Sequence, residues 1–243
     1  IGRLRREVEP VSPTDYVRFL FTWQHAEPAA RLQGEGGLLD IVEMLQGFEG
    51  AAGAMESELL AARMVDYKPS LLDRLCLGGE VVWGRLYHRR DNGNSAPGKG
   101  ALTRATPLTI ALRESLDWLL DCQANGQAEL SGATKELVEV LCRRGASFLP
   151  EMIASTRRLP LDVEEALWQL AAAGRITADS MEPLRLRING KPNRGRRGSR
   201  LGRTGRQRRT GYSRWSLLEA ISPAPEPVAP RAILSNCPGD VTN

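Results

Sequence analysis

Apolar positions along this chain recur at helical spacing, in blocks divided by glycine and proline. Ser12, Pro13 and Asp15 predict a helix start: serine at the N-cap, proline in the first turn, an acid three residues after the cap. The apolar face of that helix runs Tyr16, Phe19, Leu20, Trp23, and Pro28 closes the stretch. A second helix is predicted over Leu38 to Gln46, with Leu38, Ile41, Val42 and Leu45 on one face. Another runs from about Ala54 to Met64. Pro69 and Ser70 open one more, striped by Leu71, Leu72 and Leu75 and ended by Gly78 and Gly79. An extended run rich in β-formers follows, Glu80 to Tyr87. The turn-like loop Arg89 to Thr103 leads to a second extended run, Thr106 to Leu112.

The same order then returns. Ser131 opens a helix through Cys142, with Leu137, Val138 and Leu141 apolar and Gly145 as terminator. Ser147 is expected to start a helix ending near Thr156. Pro160 and Asp162 start the next, with Val163, Ala166, Leu167 and Leu170 as its face and Gly174 as its end. Arg175 to Thr177 reads as a short strand and Arg214 to Leu218 as the strand that returns to it. Aligned on the terminating glycine, Leu72 and Leu75 match Leu167 and Leu170, and Val81 matches Ile176. Helices followed by a hairpin with a long tip describe a winged helix, although helix, glycine and strand in series also occur in other α/β folds. The expected class is α+β and helix-rich, with tandem winged-helix domains, each a helix-turn-helix plus a β-hairpin wing. The expected layout is an N-terminal helical segment and linker (1–34), a first winged helix (35–120), a second (128–220) with a long Arg/Gly wing loop at about 189–211, and a disordered Pro-rich tail (221–243).

Charge changes this picture more than composition does. The 243 residues carry 33 basic and 29 acidic side chains. Leu184 to Arg214 alone holds eleven Arg and one Lys without an acid, which leaves 21 basic against 29 acidic residues, a net of −8, elsewhere. Such asymmetry suits a nucleic-acid-binding loop on an acidic body; the bland alternative is a solvated linker. The candidate contacts are Arg194, Arg196, Arg197, Arg200, Arg203, Arg206, Arg208 and Arg209, with Arg89, Arg90 and Lys99 of the first loop as a second contact. Guanidinium forks suit phosphate, and the contact would be independent of base sequence. In the recognition-helix position, Leu161 to Ala173, the polar candidates are Asp162, Glu164, Glu165 and Gln169. Three of these four are acids, so ordinary major-groove reading is not expected.

Catalytic and metal chemistry find little support. Gly93 to Gly100 nearly spells a phosphate-binding loop, but Gly100 stands where the Mg²⁺-binding hydroxyl should be, and a strand follows in place of a helix. Cys76, Cys122, Cys142 and Cys237 form no CxxC pair, and His25 and His88 are the only histidines. No zinc site, metal, cofactor or catalytic residue is expected. Trp23, Trp83, Trp118 and Trp215 are read as core, and Trp168 as a core or interdomain packing residue. There is no apolar run of membrane-spanning length and no signal peptide, so a cytoplasmic protein without membrane contact is expected. Ile1 is not a start methionine, which suggests a cut from a longer protein, with Gly2 to Glu9 ending an upstream helix.

Several stretches together resemble the large helicase-related (Lhr-type) superfamily 2 DNA helicases. They are Arg5 to Pro13, Arg18 to Leu20 with Trp23 to His25, Leu45 to Phe48, Leu75 to Gly84, Arg143 to Phe148, Glu164 to Trp168 and Arg214 to Leu218. The resemblance implies an ATP-dependent 3′-to-5′ DNA helicase linked to DNA repair, with ATP and Mg in the parent protein and RecA-like motor domains upstream. The chain would be a non-enzymatic accessory region in the winged-helix array behind those motors, holding DNA, single-stranded DNA in particular. The alternatives are a scaffold without nucleic-acid contact, or part of a region similar to a DNA glycosylase. After Leu218 the resemblance ends.

Overall fold

The computed structural model describes residues 10–86, 102–121, 132–189 and 212–218. The expected helix end at 2–9, the near phosphate-binding loop at 93–100 and the tail at 221–243 lie outside them. Helix α1 spans Pro13–Trp23, and the Ser12 hydroxyl accepts from the Asp15 N–H at 3.1 Å, as the cap pattern predicts.

The first winged helix contains α2 (Gly34–Leu45), β1 (Gly50–Ala51), a π-helical stretch Met55–Leu60 continued by α3 (Ala61–Arg63), α4 (Pro69–Gly78), β2 (Val81–Gly84) and β3 (Pro107–Leu112). After β3, the short α5 (Leu116–Asp121) leads away. The second repeats that order: α6 (Gly132–Arg144), β4 (Ser147–Phe148), α7 (Leu149–Thr156), α8 (Pro160–Ala172), β5 (Ile176–Ala178) and β6 (Arg214–Leu217). Between β5 and β6 it carries a further helix, α9 (Glu182–Asn189), with no counterpart among the described residues of the first unit.

Both sheets are antiparallel with the last strand in the middle, β1-β3-β2 and β4-β6-β5. The registers correspond. Val81 opens β2 opposite Leu112, and Ile176 opens β5 opposite Leu217. The glycines that end α4 and α8 adopt left-handed backbone, Gly79 at φ 80° and Gly174 at φ 66°. There a Cβ would be strained, so the chain can reverse from helix into strand at little expense. The class is α+β, helix-rich and tandem winged-helix.

Four features differ from the sequence reading. Ser147 does not start a helix: it pairs with Trp215 in β4, and the helix begins at Leu149. Strands of two residues have too little length for alternation to show, and β1 escaped for the same reason. Helix α9 was absorbed into the basic segment, although Glu182 and Pro183 at its start and Leu184 and Ile188 on one side are ordinary helix signals. Trp23 and Trp118 are not core, being 57% and 50% exposed. Their periodicity showed which side chains share a face, not what covers that face.

The two winged helices share one interface. All four residues of β2 are buried, which requires cover on both faces of the strand. Strand β5 of the second unit lies against β2. Leu218 closes a separate small cluster with Val82, Leu86, Ala111, Leu116 and Leu119. Three tryptophans form the centre: Trp215 meets Trp83 edge-on at 6.2 Å and Trp168 edge-on at 5.3 Å. The Trp83 indole N–H also donates to the Ser180 carbonyl at 3.1 Å. Edge-on rings contribute beyond the area they bury, so this cluster should govern stability. We expect Trp215→Ala to lower unfolding free energy by about 3–5 kcal/mol, as large aromatic truncations in cores do. Trp23→Ala should change it by less than about 0.5 kcal/mol, as for an exposed surface position. Urea unfolding followed by far-UV circular dichroism distinguishes the two.

Candidate nucleic-acid interface

None of the eleven candidate contacts falls among the described residues. Arg89, Arg90 and Lys99 lie in 87–101, and Arg194, Arg196, Arg197, Arg200, Arg203, Arg206, Arg208 and Arg209 lie in 190–211. The structure does describe the residues that flank both segments, and these meet. Arg104, just after the first segment, donates from Nη1 to Asn189 Oδ1 at 2.8 Å, and Asn189 directly precedes the second. Arg104 is itself fixed. Its carbonyl accepts from the Gly53 N–H at 2.8 Å, and a Cβ on Gly53 would stand 3.0–3.2 Å from Arg104 atoms. Thr103 and Thr106 close the adjoining turn, with the Thr103 N–H 2.9 Å from the Thr106 hydroxyl. On the far side of 190–211, Asp179 accepts from the Arg214 N–H at 2.9 Å and from Arg214 Nε at 3.2 Å.

Part of the basic segment serves the fold. Arg185, on α9, reaches into the first winged helix. Nε and Nη2 grip both oxygens of Glu56, at 2.6 and 2.9 Å, and Nη1 meets Asp73 at 2.6 Å. Nη2 also donates to the Pro69 carbonyl at 3.1 Å. Tyr67 donates to Glu56 at 2.6 Å, and the Met181 N–H to Asp73 at 2.9 Å. Burial opposes the charge on Arg185, but the hydrogen bonds it donates to Glu56 and Asp73 outweigh it and raise its pKa. Arg187 stands 5.6 Å from the Trp168 ring centre, a cation–π contact, and Arg214 pairs with Asp179. Three of the eleven arginines in Leu184 to Arg214 are therefore committed internally. The remaining eight are the candidates Arg194 to Arg209 above, and Lys191 precedes them in sequence.

The same contacts occupy the helices that read DNA in a groove-reading helix-turn-helix. Helix α4 carries Asp73 and Pro69, both bound by Arg185. Helix α8 buries seven of its thirteen residues, more than one face of an amphipathic helix needs. Its C-terminal carbonyl Ala172 accepts from Arg85 of the first unit at 3.2 Å. Asp162 and Glu165 stay exposed and would repel phosphate. Trp168, 3% exposed, is a packing residue that meets Trp215 and Arg187 of its own unit.

A cavity of about 330 Å³ lies between the two units, lined by Cys76, Val82, Arg113, Thr177 and Asp179 among others. Its one carboxylate, Asp179, is already engaged by Arg214. Burial pushes the Cys76 thiol up to about 12, which makes it a structural group.

Fold and interface together define a tandem winged-helix pair with both recognition-position helices turned to internal packing. Residues 11–102 match the family model for the winged-helix domain of large helicase-related protein. Over 233 residues the chain is 30% identical to the "Lhr helicase/ probable uracil glycosylase" of Mycolicibacterium smegmatis, covering 93% of this chain and 14% of that protein. Over 250 residues it is 28% identical to the "Lhr helicase/uracil glycosylase" of Escherichia coli K12, covering 88% of this chain and 15% of that protein. These matches support an Lhr-type helicase-related protein with a winged-helix region, and the chain spans only 14% and 15% of the length of these relatives. Among the described residues, no helix is long and apolar enough to cross a membrane.

Two outcomes follow for the interface. Arg185→Ala should destabilise the chain by about 2–4 kcal/mol, somewhat below a fully buried pair because the side chains keep some solvent contact. Arg185→Lys should recover only part, since an ammonium cannot fork across two carboxylates. Urea midpoints measure both. Burial, followed by the charge of Glu56 and the hydrogen bond to it, raises the Tyr67 pKa above its ordinary 10.0; burial first also raises that of Cys76 above its ordinary 9.0. Groups with raised folded pKa values stabilise fully below their unfolded values and lose that contribution as pH climbs. The urea midpoint should therefore hold to about pH 9 and fall above it, by up to about 1.4 kcal/mol per pH unit per group. Tyr67→Phe and Cys76→Ala should each flatten that fall.

Proposed function

We propose that this chain is a nucleic-acid-binding accessory region of an ATP-dependent 3′-to-5′ DNA helicase that acts in DNA repair. It holds the sugar-phosphate backbone through the two basic segments, 87–101 and 190–211, while the ATP- and Mg-dependent motor belongs to other domains of the parent protein. The observation that carries this reading is the Arg104 to Asn189 hydrogen bond, which brings the flanks of both segments to one place. Two basic segments leaving from neighbouring points contribute to one contact, so that the second binds at the high effective concentration set by the first. The engagement of α4 and α8 in internal packing supports the same division of labour, because it leaves backbone contact by loops as the available mode. Arg89, Arg90, Lys99 and the eight arginines from Arg194 to Arg209 supply the charge. Single-stranded DNA is the favoured substrate, since contacts of this kind track a backbone and tolerate any sequence. Both relatives carry a glycosylase in their names; for this chain that chemistry is not proposed, because the carboxylate in the cavity between the units is held by Arg214.

Fluorescence anisotropy with a labelled single strand across a salt series tests the reading. Neutralising about 4–6 phosphates gives a log–log slope of about −3 to −4, at about 0.7 per contact on single strands. Deleting 190–211 should remove most of that slope. An intact chain without salt-dependent binding would instead establish a packing scaffold.

A further inference from the structure

We propose that α1 is a docking helix on which another domain of the same parent polypeptide seats through an apolar groove. The helix is built to be ordered: Ser12 caps it, and Pro13 begins it. Its root is tied to the first winged helix, with Arg63 donating to the Gln24 side chain at 3.1 Å and Leu32 bridging to Met64. Beyond that root the shaft is uncovered, and none of its residues is buried within the described structure. Tyr16, Phe19 and Trp23 are 53–57% exposed, and Val17 and Phe21, on the adjoining side, are 47% and 55% exposed. Phe19 and Trp23 stack on each other, ring centres 6.4 Å apart and nearly parallel. Half-exposed side chains of this size present on the order of 400–500 Å² together, at the upper end of what a lone soluble domain carries. Helices apolar on more than one side belong in an interior.

Three observations select the occupant. The charges along the shaft, Asp15 and Arg18, pair with each other at 3.5 Å, so the face is neutral and apolar and does not suit a polyanion. The family match begins at residue 11 and takes in all of α1, so the helix is part of the domain type. The relatives devote only 14% and 15% of their length to the region matched here, which leaves ample polypeptide of the same protein to cover it.

Hydrogen exchange by mass spectrometry, comparing the full-length parent with the isolated 243-residue chain, tests the proposal without reference to nucleic-acid binding. The amides of 13–23 should exchange at least about tenfold more slowly in the parent. Phe19→Asp combined with Trp23→Asp should abolish that protection, while leaving the urea midpoint of the isolated chain unchanged. Equal exchange in both proteins overturns the proposal. So does protection in the isolated chain that grows with concentration and vanishes in the double variant, which would assign the face to a second copy. Protection that arises only on adding a single-stranded oligonucleotide overturns it as well, and assigns the aromatics to base stacking.

Discussion

A guanidinium taken largely out of water has to be matched on every side that bonds, and Arg185 is matched entirely by the other winged helix. Its fork spans Glu56 and Asp73, which come from two different segments of the first unit. Neither carboxylate can move without exposing the other to an unbalanced charge. That requirement sets the seat of α9, and α9 sets much else. Ser180, just before its first residue, accepts from the indole of Trp83, and Arg187 within it reaches Trp168. Its last residue, Asn189, then meets Arg104. Interdomain orientation is thus specified by directional bonds, while the area buried around Trp215, Trp83 and Trp168 supplies most of the attraction.

One consequence is an inversion of the usual roles within a winged helix. In the familiar arrangement the third helix faces nucleic acid and the wing assists. Here the third helix of each unit faces protein. The acids of α8 argue against groove reading, but nothing in α4 taken by itself announces its engagement. The N-terminal part of α4 is engaged because Arg185 of α9, in the second unit, bonds to Pro69 and Asp73 there.

The parts of the fold legible in the sequence are those whose cause is local. Ser12 satisfies orphan amides of its own helix, and Gly79 and Gly174 permit left-handed turns, so each can be read from a few neighbours. The matching registers of β2 and β5 followed from aligning those two glycines. The illegible parts have distant causes. Arg185 and Arg194 look alike in a run of arginines, and what separates them is an acid 129 residues earlier in the chain. Trp23 and Trp83 each sit in apolar surroundings in the sequence, but Trp83 is covered by β5 and β6 while Trp23 awaits a surface from elsewhere. The eleven candidate contacts remain a reading of charge alone, since they fall outside the described residues.

Charge is divided between these two uses in a way that favours the loops. Arg185, Arg187 and Arg214 are taken up by Glu56, Asp73, Trp168 and Asp179, which subtracts little from the acidity of the body. Outside Leu184 to Arg214 acids exceed bases by eight, so a polyanion approaching the body at large is repelled. Arginines spread evenly over the surface would have made the whole chain weakly attractive. Gathered in 190–211, a stretch free of acids whose flank Asn189 meets Arg104 beside the other basic segment, the charge is concentrated along the chain as the proposed backbone contact requires. The Arg104 to Asn189 bond bears on the proposed function by geometry: it holds the flanks of the two basic segments together, while Arg185 fixes α9, which ends at Asn189, on the first unit.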